Sequence, residues 1–259
     1  MRSIIWKRGM GAIGLLLAGM TMAAVLPPLP ATAEARVAVA ANFTAAAQEI
    51  AGAFSAAGGG RIRLSFGSTG QLYGQIAQGA PFDVFLAADA ARPARALAEG
   101  LAVPGSGFTY AVGRLALWSR DPGLVRGPET LAAAGIGPLA IANPETAPYG
   151  VAAVAVLRVL GRFDALEPQL VRGSNIAQAY QFVASGNAEL GFVALSQIAG
   201  QDAGSRWLVP ADLHPPIRQD AVLLQRGRDN RTATAFLAFL KGPEAASIIA
   251  RYGYDSGER

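Results

Sequence analysis

Beyond residue 33 the chain alternates short apolar, often β-branched runs with longer stretches of helical character, and this alternation restricts the fold to a narrow class. The pattern predicts strands over 36–40, 61–66, 84–87, 108–118, 139–142 and 189–193. It predicts helices over 43–57, 71–78, 91–99, 150–160, 177–184, 232–240 and 243–251. Strands separated by helices of about 8 to 15 residues build βαβ units, because a parallel neighbour is reached only through a crossover. The class is therefore α/β, with mostly parallel sheets flanked by helices. Two comparable sets of units follow one another. The apolar run 108–119 is long enough to carry the chain from one lobe to the other, and 215–224 to carry it back. That gives a first lobe over 34–109 plus 221–259, a second over 110–220, and a hinge between them.

Residues 1–33 stand apart. Arg2, Lys7 and Arg8 precede an apolar run over 10–26, and the segment closes on prolines with Ala31 and Ala33 at the small-residue positions of a signal-peptidase site. A run of about 17 residues is at the lower edge of a membrane span. The expectation is a signal peptide cleaved after about Ala33 and a periplasmic protein. The absence of any Cys rules out lipid anchoring. Three of the 22 basic residues fall in this segment, leaving 19 against 18 acidic ones. With no Lys/Arg run either, nucleic acid is excluded as a partner.

An exported chain without cysteine must be held by its core, and 52% apolar composition supplies one. The lack of Cys and the single His214 leave no cluster with metal-ligand spacing and no cofactor site. No G-x-S-x-G occurs. His214, in Leu213-His214-Pro215-Pro216, reads as a solvated turn residue. An enzyme lacks its usual residues here.

What the chain has instead is four turns without Lys or Arg between strand ends and helix starts: Ala41-Asn42-Phe43-Thr44, Gly67-Ser68-Thr69-Gly70, the stretch from Asn143 to Gly150, and Gly173-Ser174-Asn175-Ile176. Each is an ordinary helix cap on its own. Together they form four sets of free N–H donors at the strand ends, where ligands of α/β folds sit, and the helix dipoles favour an anion. No Lys or Arg occurs in any of them.

These residues carry a resemblance. Ala40-Ala41-Asn42-Phe43, Gly67-Ser68-Thr69-Gly70, Gly79-Ala80-Pro81-Phe82-Asp83-Val84-Phe85, Ala147-Pro148-Tyr149-Gly150, Leu190-Gly191-Phe192-Val193-Ala194 and Tyr252-Gly253-Tyr254 occur in the order and spacing of the periplasmic molybdate-binding proteins of ABC importers. The resemblance runs from Val37 to about Tyr254. It implies a two-lobed type II periplasmic-binding-protein fold that closes on molybdate or tungstate and delivers the oxyanion, as a monomer, to a membrane permease. Carried over by position, it places a side-chain donor on Asn42, hydroxyl donors on Thr69 and Ser68, and backbone N–H donors on Tyr149 and Ile176. Ala41 and Ala194 stand where branches of the family have hydroxyl donors. Asp83 reads as a local cap rather than a catalytic carboxylate. The alternatives are a binding protein for sulfate or phosphate, and an α/β hydrolase-like enzyme.

Overall fold

In the first of two sheets the chain begins with a parallel βαβ arrangement whose crossovers are capped by its own sequence. The computed structural model describes residues 34–256 apart from Ala134 and Asp202, and the proposed signal peptide lies outside them. Strand β1 (Glu34–Ala40) leads through a 3-10 turn (Ala41–Phe43) into α1 (Thr44–Ala56); β2 (Arg61–Gly67) leads into α2 (Thr69–Ala77), and β3 (Val84–Leu86) into α3 (Ala91–Ala98). β1 pairs in parallel with both β2 and β3. Ser68 caps α2, its Oγ accepting the Gln71 N–H at 3.3 Å. Gly79 ends the turn after α2 with φ of 83°, a conformation open to glycine at little cost.

The predicted long strand over 108–118 is two strands. β4 (Phe108–Gly113) belongs to the first sheet and β5 (Leu115–Ser119) to the second, with the break at Arg114. The second sheet continues with β6 (Leu139–Ala142), α4 (Pro148–Val159), the short α5 (Phe163–Leu166), β7 (Leu170–Gly173), α6 (Ile176–Ala184), β8 (Leu190–Ala194), the short α7 (Leu195–Ile198) and β9 (Ser205–Leu208). β10 (Ile217–Leu223) then returns to the first sheet, and α8 (Arg231–Leu240) and α9 (Pro243–Arg251) pack on it. Pro148 and Pro243 open α4 and α9, where a missing N–H costs nothing.

Strand orders are β2-β1-β3-β10-β4 and β7-β6-β8-β5-β9. Both sheets are mixed. The βαβ units pair in parallel as expected (β1 with β2 and β3, β6 with β7 and β8), and the strands that enter each sheet from the other are antiparallel to their neighbours: β10 to β3 and β4, β5 to β8 and β9. The antiparallel strands follow from geometry: a chain that crosses to the other sheet and returns has no helical crossover to reverse it.

The inner strands β1 and β3 of the first sheet and β5, β6 and β8 of the second are buried on both faces. Phe43, Ile50, Phe54, Phe236, Ile248 and Ile249 cover one face of the first, with Phe54 and Phe236 edge to face at 5.4 Å. Leu72, Tyr73, Ile76 and Phe85 fill the other. The core of the second sheet runs from Leu115 to Ile217 and takes in Ala40, Ala41 and Ala88 of the first sheet's loops, so the two cores touch at the strand ends. Truncating a fully buried aromatic such as Phe236 would cost about 3–5 kcal/mol. His214 is not solvated but 8% exposed, its Nδ1 at 2.8 Å from the Pro215 carbonyl oxygen.

Candidate functional site

All four turns meet in one small pocket, lined by Ala40, Ala41 and Asn42 from the first, Gly67, Ser68 and Thr69 from the second, Ala147, Pro148 and Tyr149 from the third, and Asn175 and Ile176 from the fourth, with Ala88 completing the wall. The first two turns follow strands of the first sheet and the last two follow strands of the second. The pocket has about 10 Å³ of free central space. A single water needs roughly 10–15 Å³, so this closed arrangement leaves no room for a sugar, amino acid or peptide. Asn42, Ser68, Thr69, Tyr149 and Ile176 are each at most 4% exposed, and no Lys, Arg, His, Asp or Glu lines the pocket.

The hydrogen bonds show which donors remain. Thr69 Oγ1 accepts the Ala88 N–H at 3.0 Å, and Ser68 Oγ accepts that of Gln71. Both oxygens are engaged as acceptors, which leaves their hydroxyl protons to donate. In the third turn Pro148 has no N–H, and those of Gly150 and Val151 go to the Ala147 carbonyl at 2.9 and 3.2 Å. The N–H of Tyr149 is the one left in that first turn. In the fourth, Asn175 Oδ1 takes the Gln178 N–H at 3.0 Å, and the N–H of Ile176 opens α6 without an intrahelical acceptor.

Asn42 behaves differently from the expectation of a side-chain donor. Its Nδ2 donates to Gln219 Oε1 at 2.9 Å and to Tyr254 Oη at 3.1 Å, so both amide hydrogens are spent inside the protein. What remains is its backbone N–H, at the start of a 3-10 turn where no intrahelical acceptor exists. Asn42 is the hub of a buried polar cluster behind the pocket. Its carbonyl accepts from Ser196 Oγ at 2.8 Å and Tyr254 Oη at 2.7 Å, and Gln219 also binds Tyr110 and Tyr149. Burial holds the phenols of Tyr110, Tyr149 and Tyr254 above the usual tyrosine range, with neighbouring phenols adding to it at Tyr110 and Tyr149. Sequence patterning had no means of finding Gln219, Tyr254, Ser196 or Tyr110. Their partners lie 23 to 212 residues away along the chain, and no hydrophobic or capping pattern marks them.

Ala41 and Ala194 are buried and bring no hydroxyl; the Ala194 N–H goes to Gln197 Oε1 at 2.9 Å. Asp83 accepts the Arg36 N–H at 2.7 Å and does not line the pocket; its partner is on β1, 47 residues away, rather than local as expected.

Two α/β lobes joined by two strand passages, with a buried, donor-lined pocket where their helix starts face each other, define a two-lobed solute-binding protein. The chain belongs to the bacterial extracellular solute-binding protein family, whose profile matches residues 35–255. It is 53% identical over 242 residues to the molybdate-binding protein ModA of Rhodobacter capsulatus, covering 92% of this chain and 96% of that protein. It is 54% identical over 226 residues to ModA of Azotobacter vinelandii, covering 86% and 90% respectively. Among solved structures, the periplasmic molybdate-binding protein of Azotobacter vinelandii superposes with a TM-score of 0.84 at 41% identity, over 86% of this chain and all of that one. These relatives are binding proteins, and this protein is a binding protein rather than an enzyme.

Proposed function

We propose that this protein captures molybdate, or tungstate, in the periplasm and delivers it to the membrane permease of an ABC importer. The observation that carries the reading is the meeting of four helix starts, two from each lobe, round a space for one small ion with neutral donors only. A tetrahedral dianion without a proton needs donors on every side and no acceptor. Hydroxyls and N–H groups at helix starts supply that arrangement. The names of the relatives agree with it.

In this reading Thr69 and Ser68 donate through their hydroxyls, and Asn42, Tyr149 and Ile176 through backbone N–H groups. One chain supplies all four turns, so the protein works as a monomer. Its two lobes hinge on the passages at Arg114 and between β9 and β10, which moves the sequence bounds of 109/110 and 220/221 by four residues, to 34–113 with 217–259 and 115–216, because β4 and β10 both lie in the first sheet. The leader is removed after about Ala33, and no metal cation or cofactor takes part.

Calorimetric titration of residues 34–259 with molybdate, tungstate, sulfate and phosphate tests the assignment. Molybdate and tungstate should bind with one site per chain and more tightly than the other two. Equal or tighter binding of sulfate or phosphate would move the ligand class.

A further inference from the structure

We propose that Gln219 is a positioning residue for anion capture: buried outside the pocket, it ties Asn42 of the first lobe to Tyr149 of the second, so that the two halves of the anion shell are set by one side chain. The inference rests on the reading that the turns of Asn42 and Tyr149 contact the anion.

Gln219 lies on β10, the strand that brings the chain back from the second lobe, and it has no exposed surface. The ladder between β10 and β4 slips at this point: Gln219 pairs with Ala111 but Asp220 with Thr109, so Tyr110 is left over on β4. Such a bulge re-aims the side chains beside it. Here Gln219 Oε1 accepts from Asn42 Nδ2 at 2.9 Å and from Tyr110 Oη at 3.0 Å, while Nε2 donates to Tyr149 Oη at 3.3 Å. Tyr149 therefore has two ends with separate tasks. Its N–H opens α4 at the pocket, and its phenol reaches through to the first lobe.

Two features keep room for this contact. Gly113 has no side chain, and a Cβ there would run into the Tyr149 phenol oxygen and come within 2.6 Å of Gln219 Nε2. On the other side, Ser196 of the second lobe donates to the Asn42 carbonyl at 2.8 Å and lies 3.0 Å from Tyr254 Oη. The first turn is thus held from both lobes. A buried carboxamide that is satisfied from both sides is costly to leave half-paired, so closure and alignment of the turns go together.

The test is a double-mutant cycle read by molybdate titration and stopped-flow dissociation, using Gln219→Met, Tyr149→Phe and the double variant. Tyr149→Phe keeps the N–H at the pocket and deletes only the phenol. Each single variant is expected to raise Kd several-fold to about tenfold, through faster dissociation with little change in association. The double variant should be no weaker than Gln219→Met alone, since both remove the same link; a residue that merely supports the fold would give multiplied effects. Wild-type Kd in Gln219→Met, or effects that multiply, would overturn the inference while the functional reading stands. Should Gln219→Met not fold, Tyr149→Phe decides alone, and wild-type dissociation from it overturns the proposal. No molybdate binding by the wild-type chain would remove the functional reading and this inference with it.

Discussion

Gly70 of the first lobe donates its backbone N–H to the Thr146 carbonyl of the second at 2.8 Å, directly beside the pocket. Glycine makes that approach possible without crowding. A Cβ at position 70 would sit 3.0 Å from the Thr146 oxygen and 3.1 Å from its Cα, which are backbone atoms that cannot swing aside. Gly70→Ala should therefore hold the lobes apart and weaken molybdate binding by about 1–2 kcal/mol, the usual scale of overpacking. Its ligand-free melting temperature should stay level or rise, because alanine favours the helix. Calorimetry with a thermal scan separates the two effects, and unchanged affinity would mean that the bound form is more open at this seam.

The hydroxyl of Thr69 has two jobs, accepting from the Ala88 N–H and keeping its own proton for the pocket. Thr69→Ser preserves both and should bind within a few-fold of wild type. Thr69→Ala loses both and should cost about 1–3 kcal/mol of binding, with some stability lost through the orphaned Ala88 N–H. Equal titration curves for the serine and alanine variants would dismiss the hydroxyl as a donor.

Much of this arrangement was legible in the sequence because helix starts are written locally. Ser68, Asn175 and Pro148 mark their helices by residue type, and the turns of Asn42, Thr69, Tyr149 and Ile176 follow from strand-then-cap spacing. Three strands were not legible. β7 and β9 are edge strands whose half-buried residues carry little alternation. β10 carries Arg218, Gln219 and Asp220 in its middle, polar residues whose burial is decided by partners on other elements. The predicted single strand over 108–118 is mostly apolar, and Gly113-Arg114 is the one interruption in it, too short a mark to show that the chain passes there from one sheet to the other. The cluster behind the pocket was illegible for the same reason: Asn42 and Tyr254 meet across 212 residues.

Ile176 separates a backbone contact from a side-chain one. Its predecessor Asn175 is extended, with φ of −154° and ψ of 177°, a conformation compatible with a following proline, and proline is accepted at the first helical position. Ile176→Ala and Ile176→Pro both lose the buried side chain, but only the proline loses the N–H. Molybdate should bind the proline variant at least about tenfold more weakly than the alanine variant, as expected for a lost charge-assisted hydrogen bond. Matching affinities would place the anion away from α6.

Alkaline stability follows from the three phenols behind the pocket. Tyr110, Tyr149 and Tyr254 are held above their ordinary value chiefly by burial. Below about pH 10 both folded and unfolded chains keep these protons, and stability is unaffected. Above it the unfolded chain releases protons that the folded chain retains, so stability falls as pH rises. Phenolate absorbance should show three of the six tyrosines ionising only together with unfolding. Smooth titration of all six in the native protein would contradict the burial of the cluster.

The same absence of charge in the pocket predicts how binding responds to pH near neutrality. No residue lining it titrates between about pH 6.5 and 8.5, and molybdate holds no proton in that range, so its affinity should be flat. Phosphate keeps a proton throughout the range and must give it to an acceptor. No carboxylate lines the pocket, and Asp89, next to Ala88 of its wall, is committed to Arg92 and its N–H. A protonated oxygen facing only donors leaves two hydrogens opposed, a cost of about 1–3 kcal/mol for the unmet group, or roughly 5- to 150-fold in affinity. Raising the pH from 6.5 to 8.5 should not rescue phosphate, because its last proton is still bound there. Titrations of both anions at the two ends of this range check the argument, and phosphate binding as tight as molybdate would reveal an acceptor in the shell.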